Sequence, residues 1–269
     1  MKRSTVMAIV TAIVMMHGSA SAVTQTPGQQ KCINALNKGM AKVASAQNKA
    51  NAKCISTRAK DGTTDAFLCA NNDAKVAKAE AKTVALEAAS CDELPTIGHT
   101  GAGNVNNRAQ FQAFDFAQEI FDSNSSISLC DSDKAACKCQ SQALKASNKL
   151  YKTHLKAYNK CKKAGLKDKT NPFDDDADFE ACIGADPKGK IGKSASKLAT
   201  TIGKKCGQTT TPFPQGRCMA LTNDPLADCL DDAVRCHVCL TAALSDGLSV
   251  DCDEFDDGDD KNGSCFDDL

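Results

Sequence analysis

The chain has 269 residues, and its 33 basic and 33 acidic side chains give a formal net charge of zero at pH 7, so bulk charge indicates no class of partner. Tryptophan is absent and aromatic residues make up only 4% of the chain, whereas there are 16 cysteines. A core built mainly on large aromatic side chains is therefore excluded, and covalent cross-links must contribute part of the stability.

Residues 1–22 have the three parts of a secretory signal. A basic start precedes an apolar run, and Ala20-Ser21-Ala22 completes a small-residue cleavage site, so we expect the mature chain to begin at Val23. The apolar run is too short to span a bilayer, and the sequence predicts no transmembrane segment. Because all 16 cysteines follow residue 22, a secreted or periplasmic location predicts up to eight disulfide bridges.

Regular cysteine spacing predicts the first structural elements. Three pairs are separated by 22 residues and a fourth by 24: Cys32 and Cys54, Cys69 and Cys91, Cys139 and Cys161, Cys182 and Cys206. At about 100° per residue, a step of 22 returns to nearly the same helix face. Each pair should therefore lie on the apolar stripe of one amphipathic helix, with lysines on a separate stripe.

Turn signals between these segments predict antiparallel helical hairpins over residues 23–91 and 130–206. Asp61-Gly62 ends the first segment, Thr64 or Asp65 can cap the second, and Asp186-Pro187 predicts the N-cap and first turn of the last helix. Antiparallel pairing sets the outer cysteines of each hairpin together and the inner cysteines together. The predicted bridges are Cys32–Cys91, Cys54–Cys69, Cys139–Cys206 and Cys161–Cys182.

Residues 92–129 interrupt the cysteine pattern with a glycine-rich entry followed by a phenylalanine-rich stretch that includes Phe111, Phe114, Phe116 and Phe121. One interpretation is a helix that packs the two hairpins together. The other is an exposed apolar patch that docks a protein partner.

Residues 207–269 are interpreted as a truncated third copy that caps the array with a loop-rich, disulfide-bonded segment. The stretch CLDDAVRCHVC at 229–239 shares a C-x6-C core with CDSDKAACKC at 130–139. Spacing does not decide the pairing of eight cysteines: Cys130, Cys137, Cys218, Cys229, Cys236, Cys239, Cys252 and Cys265. Short separations favour Cys130–Cys137, Cys229–Cys236 and Cys252–Cys265.

Motifs for catalysis or cofactor binding are weak. The stretch CHVC at 236–239 does not have the order needed for haem attachment, and a zinc site would need a second pair of ligands. We interpret its cysteines as disulfide-bonded. Because metalloprotease, nucleophile-elbow and phosphate-loop motifs are absent from the sequence, we expect a protein that is not an enzyme and has no cofactor. An enzyme would need a concave site that contains His99 or His154 beside an acid.

Lysines dominate one stripe of the second hairpin, at Lys145, Lys149, Lys152 and Lys156. Such a stripe can bind an envelope polyanion by electrostatic attraction. It can equally be the solvated face that remains once the apolar face is buried. Nucleic acid is not favoured, because only Tyr151 and Tyr158 lie near this stripe and base stacking needs aromatic side chains.

Acidic residues dominate the end of the chain, where calcium binding is a weak alternative. The candidate ligands are Asp253, Asp256, Asp257, Asp259, Asp260 and Asn262. Phe255 occupies a ligand position of the EF-hand loop counted back from Gly258, so a solvated acidic cap is favoured over a calcium loop.

Several stretches resemble a set of exported, cysteine-rich bacterial helical-hairpin repeat proteins: DKAACKCQSQALKAS, NKCKKAGLK, DPKGKIGKSASKL, IGKKCG and GLSVDCDEFDDGDDKNGSC. The resemblance covers residues 130–265 closely and residues 32–91 in spacing only. It implies repeats, export and disulfides, and it supplies no activity and no functional residues.

The predicted fold is therefore all-α, with tandem disulfide-stapled antiparallel helical hairpins and a C-terminal cap. The leading functional hypothesis is an exported, non-enzymatic scaffold or binding module that docks a protein partner through its phenylalanine-rich segment. The alternative is a polyanion-binding or envelope-binding protein that uses its lysine stripes.

Overall fold

The structure is a computed structural model that describes residues 24–206, 216–219, 221–256 and 265, excluding the side chain of Asp256. All regular structure in these residues is helical, as predicted. Besides a 3-10 turn at Asn124–Ser126, the elements are α1 (Pro27–Asp61), α2 (Ala66–Asn71), α3 (Ala74–Ala88), α4 (Gly101–Phe121), α5 (Lys134–Gly165), α6 (Asp176–Glu180), α7 (Lys190–Lys205), α8 (Asn223–Asp246) and α9 (Asp253–Asp256).

The boundaries of α1 and α2 follow local sequence signals. Thr26 and Gln29 form a capping box at the start of α1, and Gly62 ends the helix with a φ of 66°, a conformation that favours glycine. Asp65 caps α2 through the backbone amides of residues 67 and 68. The return segment of this hairpin is not one helix, because Asp73 caps a new helix, α3, after a break.

The second hairpin consists of the long helix α5 and the shorter helix α7. The predicted start of α7 at Asp186-Pro187 is wrong, since the helix begins at Lys190 with Gly189 as N-cap. Asp186 nevertheless accepts hydrogen bonds from the backbone N–H groups of Lys190, Ile191 and Gly192. The aspartate therefore satisfies the free amides of the first turn from outside the helix.

The structure contains the four hairpin bridges that the spacing predicts: Cys32–Cys91, Cys54–Cys69, Cys139–Cys206 and Cys161–Cys182. Small side chains allow the helices of a hairpin to approach closely enough for these bonds. At Gly39 in α1, an added Cβ would lie 2.4 Å from Cγ2 of Thr83 in α3. A methyl group at position 39 would therefore clash at the seam.

The other bridges are Cys130–Cys137, Cys218–Cys229, Cys236–Cys265 and Cys239–Cys252. The bridge Cys130–Cys137 confirms the sequence prediction. The predicted pairings Cys229–Cys236 and Cys252–Cys265 are wrong. Cys229 and Cys236 both lie in α8, where seven residues separate Cα atoms by about 10 Å, too far for a disulfide. Cys236 and Cys239 lie about one turn apart on α8. Each forms a bridge to a cysteine in the segment that follows this helix, Cys265 and Cys252 respectively.

The phenylalanine-rich segment forms α4, which packs against α1, α3 and α8. Phe116 and Phe121 are fully buried, and only Phe111 is counted among the exposed large apolar side chains of this helix. The ring of Phe116 lies 5.9 Å from that of Tyr151 in α5. The docking-patch interpretation is therefore wrong, since the apolar face of α4 belongs to the core, where it packs against the first hairpin and α8.

Helix α8 completes the core of the described residues. It packs against α4, α5 and α7, and it is buried along most of its 24 residues. The described part of residues 207–269 thus supplies a long core helix with disulfide bridges at both of its flanks.

Burial of His154 in α5 predicts a pH-dependent stability. The residue is 5% exposed, and burial lowers its pKa to about 4, opposed by the negative charges of Asp231 and Asp186 and assisted by the positive charge of Arg235. Since the unfolded chain binds this proton more tightly, the contribution is complete above about pH 6.5 and is lost as the pH falls towards 4.

We expect the parent protein to lose about 3 kcal/mol of unfolding free energy through this residue between about pH 7 and pH 4. The variant His154→Gln should lack that component. Urea unfolding at three pH values in this range measures the difference. Equal slopes for the parent and the variant would contradict the assignment to His154.

Candidate functional site

Helices α1 and α5 pack antiparallel and place their lysine stripes on the same side. Asn148 Nδ2 donates to the backbone carbonyl of Asn48 at 2.9 Å, and Asn159 Nδ2 donates to that of Asn37 at 3.0 Å. These two contacts set the register between the hairpins. Residues at intervals of three and four share a helix face, so the lysines form two facing rows along the seam.

A groove of about 780 Å³ runs between these two rows. Its apolar floor includes Ala41, Ala46, Ala50 and Leu155. Nine lysines line it, from α1, α5 and the start of α3: Lys38, Lys42, Lys49, Lys53, Lys75, Lys152, Lys156, Lys160 and Lys163. Asp73 is the one acid among the described residues that line it.

A second depression, of about 420 Å³, continues the groove along the same helix pair. It is lined by Lys60 of α1 and by Lys134, Lys138 and Lys145 of α5. At 1.5 Å per residue, the row from Lys38 to Lys60 spans about 33 Å. The surface is therefore long and narrow, a shape that suits an extended chain better than a compact molecule.

The groove is strongly positive, because many lysines line it and few acids do. All of these lysines are exposed. Among the described groove residues, the ion pair found is that of Lys53 with Asp73, at 3.3 Å. Uncompensated cations along an elongated concave surface concentrate anions there.

The structure separates the four lysines predicted from sequence. Lys152 and Lys156 line the main groove, and Lys145 lines its continuation. Lys149 lies instead beside a depression of about 380 Å³ between α5 and α7, which Lys145 also borders. The lysines of α1 were visible as a stripe in the sequence, but no local pattern shows that this stripe would face the stripe of α5.

The CHVC stretch is structural. Cys236 and Cys239 belong to separate bridges, and His237 is buried, with Nδ1 2.9 Å from Oε1 of Gln112 and Nε2 bonded to the carboxylate of Glu119. Burial raises the pKa of Glu119, but the hydrogen bonds and charges of His237 and Arg217 together outweigh this effect, so the pKa of Glu119 is lowered. The histidine thus links α8 to α4.

The two histidines that an enzyme would need beside an acid have different surroundings. His99 Nε2 lies 3.6 Å from a carboxylate oxygen of Glu87. His154 lines a cavity of about 240 Å³ together with Asp186 and Arg235. Both carboxylate oxygens of Asp186 accept backbone amides, and no serine, threonine or cysteine is among the described residues that line this cavity.

Most of the proposed calcium ligands are not placed. Asp257, Asp259, Asp260 and Asn262 lie outside the described residues, as does the side chain of Asp256. Asp253 is 4% exposed, and its Oδ1 accepts the backbone N–H of Cys265 at 2.9 Å. This carboxylate therefore supports the bridge at Cys265 in the structure.

Comparison of the chain with models of protein families, with curated proteins and with solved structures finds no match. Within the described residues, no helix has the length and apolar character required to span a membrane. The fold and the groove define an all-helical, disulfide-bonded protein with an elongated cationic surface.

Proposed function

We propose that the protein is an exported, non-enzymatic binding module whose α1–α5 groove binds a linear polyanion of the cell envelope. The observation that carries this proposal is the pair of facing lysine rows, with nine lysines and one acid around a single groove. The two rows come from different hairpins and face the same groove. A lysine face that only contacts solvent would not require this arrangement.

The lining residues indicate the class of polyanion. Lysine presents a point charge on a flexible stem and does not impose the planar geometry that arginine does, which suits repeated phosphate, sulfate or carboxylate groups. The apolar floor can pack against the carbon skeleton of a chain. No aromatic side chain is among the described residues that line the groove, so nucleic acid remains disfavoured.

Export is part of the proposal. The candidate signal at residues 1–22 and the eight bridges of the structure support an oxidising compartment. Membership of the exported hairpin-repeat set that the sequence resembles is a proposal on the same grounds.

Removal of groove charge tests the proposal. The variant Lys42→Gln, Lys49→Gln, Lys152→Gln and Lys156→Gln should bind a fluorescent heparin oligosaccharide about 100-fold more weakly at low salt, because each exposed charge contact contributes up to about 1 kcal/mol. The dependence of affinity on salt should also decrease, since fewer counterions are released. Fluorescence anisotropy between low and moderate salt measures both effects.

A matched control removes the same charge elsewhere, at Lys78, Lys82, Lys193 and Lys205, which are exposed and line neither part of the groove. This control should retain most of the affinity. Equal loss in both variants, or no binding by the parent, would refute the groove. Parallel titrations with heparin, polyphosphate and lipopolysaccharide distinguish sulfate-bearing, phosphate-bearing and lipid-borne sources of the anion.

A further inference from the structure

A fully buried lysine lies directly beneath one end of the groove. Lys162 of α5 has no exposed surface, and its ammonium group bonds to the carboxylate of Asp246 in α8 and to Oδ1 of Asn37 in α1, the latter at 3.0 Å. The hydroxyl of Tyr158 donates to the same carboxylate. Nζ also lies 4.9 Å from the centre of the Phe179 ring.

Stability alone does not account for this pair. Desolvation of two charges often offsets their attraction, and well-packed apolar residues in their place are frequently as stable or more stable. A buried pair of this kind can instead hold neighbouring groups in one arrangement, and the neighbouring group here is the side chain of Asn37.

Lys162 determines the orientation of the Asn37 amide. An ammonium group has only donors, so the amide atom that it contacts must be the oxygen, Oδ1. The Nδ2 group of Asn37 therefore points away from Lys162, and it has no partner among the described residues. Asn37 is 4% exposed and lines the groove. A buried donor without a partner is unfavourable and rare in native proteins.

Asn159 provides a hydrogen-bond acceptor that complements the Nδ2 donor of Asn37. Its Nδ2 donates to the carbonyl of Asn37, which leaves Oδ1 without a partner among the described residues. Asn159 also lines the groove, beside Lys160 and Lys163. The two asparagines thus offer one donor and one acceptor that are buried and have no partner among the described residues. Because both atoms are buried, their contact with a ligand would require neighbouring side chains to move.

We infer that Asn37 and Asn159 form a subsite for a hydroxyl group, which selects an anionic polysaccharide over a polyanion that has no hydroxyls. A hydroxyl accepts from Asn37 Nδ2 and donates to Asn159 Oδ1, whereas a phosphate or sulfate oxygen can only accept. Lys162 and Asp246 are positioning residues for this subsite. The inference rests on the proposed function and adds the class of its ligand.

The test compares two probes of equal charge, an oligogalacturonate, which has free hydroxyls, and a polyphosphate, which has none. Asn37→Ala should weaken binding of the oligogalacturonate roughly tenfold, the effect of one buried polar contact, and should leave binding of the polyphosphate unchanged within about twofold. Asn48→Ala is the matched control, because Asn48 is an equally buried asparagine of the same helix interface that does not line the groove.

A second variant tests the positioning role of Lys162 and Asp246 without leaving either charge buried and unpaired. Lys162→Met with Asp246→Leu should reproduce the tenfold loss for the oligogalacturonate, and adding Asn37→Ala should cause no further loss. Additive losses would show that the pair is merely structural and would overturn its positioning role. Circular dichroism confirms that each variant is folded.

The outcomes separate the two proposals. If the parent binds both probes equally and Asn37→Ala changes neither, the hydroxyl subsite is refuted while the lysine groove stands. If the parent binds neither probe nor heparin, both proposals fail. Selective loss of the oligogalacturonate supports both.

Discussion

Reduction of the disulfide bridges is expected to lower the midpoint of thermal unfolding by tens of degrees. In the chain-entropy model each bridge contributes about 2–4 kcal/mol, and eight bridges join the described residues. In a domain of this size, about 1 kcal/mol shifts the midpoint by about 2–4 °C. Alanine-rich seams bury little apolar surface per residue, so the core cannot replace the bridges.

Circular dichroism melts with and without a reductant measure the effect, and an unchanged melt would contradict the disulfide-stapled fold. Two pairs of serine variants provide an internal comparison. Removal of Cys139–Cys206, which closes a loop of 67 residues, should cost about 4 kcal/mol, and removal of Cys130–Cys137, which closes 7, about 2 kcal/mol.

Loss of Lys162 alone is expected to destabilise the protein by about 3–5 kcal/mol, because Lys162→Met leaves the charge of Asp246 buried without its ammonium partner. Asp246→Leu alone should have a similar cost. The double variant should recover most of the stability, since neither charge then remains in the core.

Urea unfolding at neutral pH measures these changes, and Lys163→Met is the matched control. Lys163 is the next residue along α5 but is exposed, so its replacement should change the unfolding free energy by no more than about 0.5 kcal/mol. If Lys162→Met were as mild as Lys163→Met, the buried ion pair would be refuted.

The hairpins and their bridges could be predicted from sequence because the information is local. A helix repeats at 3.6 residues per turn, so the spacing of Cys32 and Cys54 places both on one face, and Gly62 and Asp65 mark the turn that reverses the chain. Predictions failed where two elements met in a way that local spacing does not describe. Cys236 and Cys239, for example, form bridges to a later segment. The predicted start of α7 failed for a local reason, because Asp186 bonds the first amides of this helix from outside it.

The candidate site could be predicted only in part. Lysine stripes on α1 and α5 are readable as charge at helical intervals, and two of the four residues chosen, Lys152 and Lys156, do line the main groove. The contacts of Lys162 with Asn37 and Asp246 could not be foreseen, because the bonded residues lie 125 and 84 positions apart in the chain. Their side chains meet only where three helices pack.

By itself, the sequence determined the helical class, the amphipathic faces and the four hairpin bridges, because helical periodicity and chain reversal act over short distances. Only the tertiary structure decided that α4 is a core helix and that α1 and α5 pack antiparallel with their lysines on one side. That choice depends on burying apolar faces from both hairpins at once. The cationic groove and the buried pair beneath it are consequences of this packing.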